Sequence, residues 1–88
     1  MITSVPTALA TTTHAKCSTS NERELITFTA IVTLGGCEPQ AKAHAAANIS
    51  VGNSRQDLLD ALTIALPYIG YPRTLNGLSC VNAIAPSK

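Results

Sequence analysis

The strongest constraint on this chain is the run from Gly35 to Asn48, Gly-Gly-Cys-Glu-Pro-Gln-Ala-Lys-Ala-His-Ala-Ala-Ala-Asn. It holds a helix stop, a helix start, a thiol and an imidazole. Gly35 and Gly36 can take the left-handed conformation that ends a helix. Pro39 suits the first position of the next helix, where a missing N–H has no partner to lose. Alanine, the best helix former, then dominates. His44 is the one large polar ring on that alanine surface. Small side chains let another helix approach closely, so His44 is expected beside a helix–helix contact.

The flanking sequence is also helical. A first helix is expected to start at Thr19, Ser20 or Asn21, with Asn21 and Glu24 as a capping box. Glu22 and Glu24 in its first turn favour the positive end of the helix dipole. Leu25, Phe28 and Val32 mark one face, and Ile26, Ile31 and Leu34 widen it. A helix this apolar is expected to be buried on several sides, in part by another subunit. The second helix should run from Pro39 to about Ile49 and stop near Gly52, with Gln40, Ala41, His44, Ala47, Asn48 and Val51 on one face. Glu38 is read as its cap.

Ser54 and Asp57 have the spacing of a capping box for a third helix. Leu58, Leu59, Leu62, Ala65, Leu66 and Ile69 form its apolar face, and Pro67 is expected to end or kink it near Ala65 or Leu66. The turn Tyr68-Ile-Gly-Tyr-Pro72 leads into a last helix with Pro72 at its first position, carrying Leu75, Leu78, Val81, Asn82 and Ile84 until Pro86 stops it. No stretch reads as a strand. The expected fold is all-α, a compact array of three to four short helices over residues 21–86. Residues 1–20 are expected to be a loosely ordered N-terminal tail.

At 88 residues, 45% hydrophobic but only 3% aromatic, the chain allows one small domain with a core of Leu, Ile, Val and Ala. So small a core is often supplemented by oligomerisation. The net charge of +1, with no basic run, argues against nucleic acid. No apolar run approaches a membrane span. Cys17, Cys37 and Cys80 are an odd set without a C-x-x-C pair, which fits free thiols better than a disulfide framework or zinc site. The N-terminus lacks the basic start and apolar core of a signal peptide, so the expected location is cytoplasmic. His14 and Cys17 have ligand spacing, but no second pair completes a metal site.

Several segments resemble the carboxymuconolactone decarboxylase family: Glu24-Leu-Ile-Thr, Gly35-Gly-Cys-Glu-Pro-Gln with Lys42-Ala-His44, Asn48-Ile-Ser-Val-Gly52, and Tyr68-Ile-Gly-Tyr-Pro-Arg-Thr-Leu-Asn76. The resemblance covers about residues 22–84. Members usually carry more helix ahead of this region. The family implies an all-α, alkylhydroperoxidase-like fold assembled as a homotrimer or homohexamer, working without a cofactor on a small-molecule substrate. One branch decarboxylates 4-carboxymuconolactone in aromatic-compound degradation. The other, similar to the alkylhydroperoxidase partner protein, performs thiol peroxidase chemistry through C-x-x-C-x-x-x-H. In this chain that motif falls on Cys37 and His44, with Gln40 where the second cysteine would stand. The glutamate of the same branch falls near Glu24.

The candidate catalytic residues are therefore His44, Glu24 and Cys37. Loss of a carboxylate from a lactone leaves electron density on a conjugated carbon, and a proton must be delivered there. Histidine titrates in the right range to deliver it. Glu24 can hold the ring in the required tautomer. The plainer roles are a core histidine bonded to a neighbouring polar group and an exposed first-turn carboxylate. Cys37 lies seven residues before His44, about 10 Å along a helix, too far for a nucleophile–base pair unless it folds inward; otherwise it is a small buried hydrophobe. Arg73 is locally misplaced, a cation at a helix N-terminus. With Thr74 and free backbone N–H groups it is a candidate grip for a substrate carboxylate, or else a surface or intersubunit ion pair. Gln40 and Asn76 are further candidate polar contacts. A non-catalytic oligomeric small-molecule-binding protein is the alternative from outside enzymology.

Overall fold

Helix α1 spans Ser20–Leu34, α2 spans Glu38–Ser50 and α3 spans Arg55–Ile84. The computed structural model describes residues 19–86. The tail expected over residues 1–20, including His14 and Cys17, falls outside the described residues except for Thr19, the N-cap of α1, and Ser20, its first residue. The architecture is all-helical.

The start of α1 is capped two residues earlier than the Asn21–Glu24 reading. Thr19 is the N-cap: its hydroxyl accepts from the Glu22 N–H, and the Glu22 carboxylate accepts from the Thr19 N–H at 2.8 Å. The Thr19 N–H, and after it the hydroxyl, hold the Glu22 carboxyl below its ordinary range. Asn21 is committed elsewhere, donating from Nδ2 to the Val51 carbonyl at 2.8 Å. Gly35, at φ 78°, ends α1 as the sequence suggested. Helix α2 begins at Glu38, one residue before Pro39. Its N-cap is Cys37, which supplies no side-chain capping bond, so Glu38 is an exposed first-turn residue and not the cap.

The Ser54–Asp57 box opens α3 as expected. The break expected at Ala65 or Leu66 lies further on. The helix continues through Pro67 and breaks at Gly70, whose φ of 81° and ψ of 168° are open to glycine almost alone. Pro67 costs the helix one donated hydrogen bond on an exposed stretch, whereas Gly70 permits a full change of direction. Thirty residues of straight helix would span about 45 Å. Instead, the Arg55 guanidinium donates to the Ala85 carbonyl, so residues 71–84 return along residues 55–69. The described residues thus form four helical rods, with Pro72 in the first turn of the last.

Phe28 and Val32 of α1, Ala41 and Ala45 of α2, and Leu58, Leu62, Cys80 and Val81 of α3 form the core. Gly77 lies where the rods cross most closely: a Cβ there would stand 2.7 Å from Leu62 Cδ2 and 2.9 Å from Val32 Cγ1. The wider apolar surface of α1 is not covered by the other described residues, since Ile26 and Leu34 are exposed.

Candidate functional site

Helices α1 and α2 run antiparallel from the Gly35–Gly36 turn. This brings the first turns of α1 beside the second half of α2. His44 Nδ1 lies 3.1 Å from Glu24 Oε1, with both side chains about a quarter exposed, 26% and 27%. The alanines around His44 permit this approach: Ala41 and Ala45 are buried against the other rods, which turns His44 to the edge of the α1–α2 seam. With Glu24 ionised, Nδ1 is the donor, so Nε2 is the ring atom left to exchange a proton.

Behind the pair lies Asn48, fully buried one turn beyond His44. Its Nδ2 donates to the Glu24 carbonyl at 3.0 Å and to the His44 carbonyl at 2.7 Å. Its Oδ1 accepts from Asn53 Nδ2 at 2.8 Å, and Asn53 Nδ2 also donates to the Asn21 carbonyl at 2.9 Å. The Glu24–His44 pair therefore rests on an amide network tying α1, α2 and the loop before α3. Asn48 and Asn53 were not read from the sequence as site residues. The available signal was the four-residue step from His44 to Asn48, which puts both on one face.

The other candidates lie elsewhere. Cys37 Sγ donates to the Gly35 carbonyl at 3.4 Å and does not engage His44. Gln40 is exposed. The Arg73 side chain lies over Gly35, where a Cβ would meet its Nε at 2.6 Å. Gly35 is eleven residues from Glu24, about 16 Å along the helix. The guanidinium thus sits at the negative end of the α1 dipole, which has no basic residue in its own last turn. Thr74 gives its hydroxyl to the Gly70 carbonyl at 2.8 Å. Arg73 and Asn76 line a small cleft with Cys37, Glu38, Gly77 and Cys80. Within one chain, then, Glu24 and His44 come together, and Cys37 and Arg73 form a second group at the other end of the α1–α2 hairpin.

An open groove of about 740 Å³ lies between α1 and the first arm of α3. Leu25, Ile26, Thr29, Ala30, Ile64 and Tyr68 are among its lining residues, with Asp57 and Asp60 at its acidic part. At 3.6 residues per turn, its α1 residues lie on the opposite face of that helix from Glu24. Among the described residues no cluster of His, Cys, Asp and Glu could hold a metal, and no helix is long and apolar enough to cross a membrane.

The described residues form an all-helical domain in which a carboxylate on α1 meets a histidine on the alanine-rich α2, which defines a class of small helical protein. The sequence places it within that class: the carboxymuconolactone decarboxylase family matches residues 7–83, and the chain belongs to that family. The match begins upstream of the segments that carry the motifs. No curated protein and no solved structure matches the chain.

Proposed function

We propose that the protein is a cofactor-independent decarboxylase-like enzyme acting on a small carboxylated lactone, with His44 as the proton donor and Glu24 as its orienting partner. The observation that carries this reading is the 3.1 Å contact between His44 Nδ1 and Glu24 Oε1. As the C–C bond to the carboxylate breaks and carbon dioxide leaves, the electron pair passes into the unsaturated lactone. A protonated His44, its charge balanced by Glu24, delivers the Nε2 proton to the conjugated carbon. The neutral ring then regains a proton from water.

The groove does not suit that substrate. It is apolar, lies on the far face of α1 from Glu24, and carries Asp57 and Asp60, which repel a carboxylate. It suits a second copy of this chain in a homotrimer or homohexamer.

The test is turnover of 4-carboxymuconolactone, followed as carbon dioxide release. Wild-type protein should release it, and Cys37→Ser should keep most of the rate. No release, or complete loss in an assembled Cys37→Ser variant, would overturn the reading.

A further inference from the structure

The C-x-x-C motif is incomplete at Gln40, but the fold brings another thiol to the same end of α2. Cys80, on the returning arm of α3, points its Sγ at the Glu38 carbonyl, 3.7 Å away. Cys37 directly precedes Glu38, so its Cα is only about 3.8 Å from that of Glu38. Both cysteines line the small cleft beside Arg73, and neither is in a disulfide. Their exposures differ: Cys37 is half-buried, whereas Cys80 is buried.

We propose that Cys37 and Cys80 are a redox pair that closes to a disulfide when a small hydroperoxide oxidises Cys37. The proposal is independent of the Glu24–His44 reading. The Cys37 thiolate attacks one peroxide oxygen, and the O–O bond breaks. The leaving oxygen takes up the proton, giving a sulfenic acid and an alcohol, or water from hydrogen peroxide. The Cys80 sulfur then attacks the Cys37 sulfur; the S–O bond breaks, and hydroxide leaves with the Cys80 proton as water. Two thiols have lost two electrons to one peroxide. An external dithiol returns them by thiol–disulfide exchange.

The surroundings assign these roles. Burial pushes the Cys80 thiol up from its ordinary range, which suits the second, resolving partner and not the first nucleophile. A disulfide requires Cα atoms about 4.4–6.8 Å apart and a turned side chain. The Cys37 carbonyl is fixed by the Ala41 N–H at 2.8 Å, but its side chain, ahead of the first turn of α2, makes one weak thiol contact to Gly35 and can turn to meet this. A Cβ built on the adjoining Gly36 meets nothing within 4 Å, so space is open for the loop to shift.

Trypsin separates all three cysteines, leaving Cys17, Cys37 and Cys80 on peptides 17–23, 24–42 and 74–88. The experiment treats the native protein with stoichiometric hydrogen peroxide, blocks free thiols, and maps peptides by mass spectrometry without reduction. The expected result is peptide 24–42 linked to 74–88, with loss of two hydrogens and reversal by dithiothreitol. Cys80→Ala should abolish the link and leave Cys37 to advance to sulfinic acid. Linkage of Cys37 to Cys17, linkage between chains, or sulfinic acid at Cys37 in the wild type without the 37–80 link would overturn the proposal.

Discussion

The carboxamide of Asn48 joins three segments of backbone, donating to the Glu24 and His44 carbonyls and accepting from Asn53. It therefore fixes how far α1 stands from α2 at the level of the acid–base pair. Asn48→Leu keeps the approximate volume but leaves the Asn53 amide short of an acceptor and removes the tie to α1. A loss of about 1–3 kcal/mol is expected, the usual cost of such an unsatisfied group. Urea denaturation of the two proteins measures it, and an unchanged midpoint would show the network to be dispensable. His44 and Glu24 were legible in the sequence, because helix register and family motif both single them out. The burial of Asn48 was not legible, because it depends on how closely the α1 backbone approaches α2.

Among the helices, local signals were reliable where nothing distant competed with them. The Ser54–Asp57 box and the Gly35 stop formed as the sequence indicates. The Asn21–Glu24 box did not form, because Asn21 bonds Val51 thirty residues away and Glu24 meets His44, leaving the cap to Thr19. Pro67 was likewise a weaker breaker than Gly70, since one missing donor on an exposed stretch is tolerated while a reversal needs positive φ. The reversal brings the returning arm against Val32 and Leu62 at Gly77, with no room for a methyl group. Gly77→Ala should therefore destabilise by about 1–3 kcal/mol, the range for overpacking, despite alanine's better helix propensity. Thermal melts decide the sign: a stabilised variant would mean that the arm has freedom to shift outward.

At the scale of the whole molecule, the described residues leave an apolar groove beside Ile64, 71% exposed, and Tyr68, 86% exposed. Such a surface is costly to leave in water. Analytical ultracentrifugation at micromolar concentration should find an oligomer, and Ile64→Asp should shift it towards monomer. A stable wild-type monomer would remove the assembly from the account. The family was legible from the motifs and is carried by the match over residues 7–83. The separation of Arg73 from His44 was not, because it follows from where the returning arm lies. The central claim, that Glu24 and His44 act as one acid–base unit, is tested by turnover of 4-carboxymuconolactone in a double-mutant cycle. Glu24→Gln and His44→Gln should each lower kcat, the latter by about 10²–10⁴-fold, with assembly and melting temperature unchanged. The double variant should be no slower than His44→Gln alone. Fully additive losses, or a correctly assembled His44→Gln protein with wild-type kcat, would contradict it.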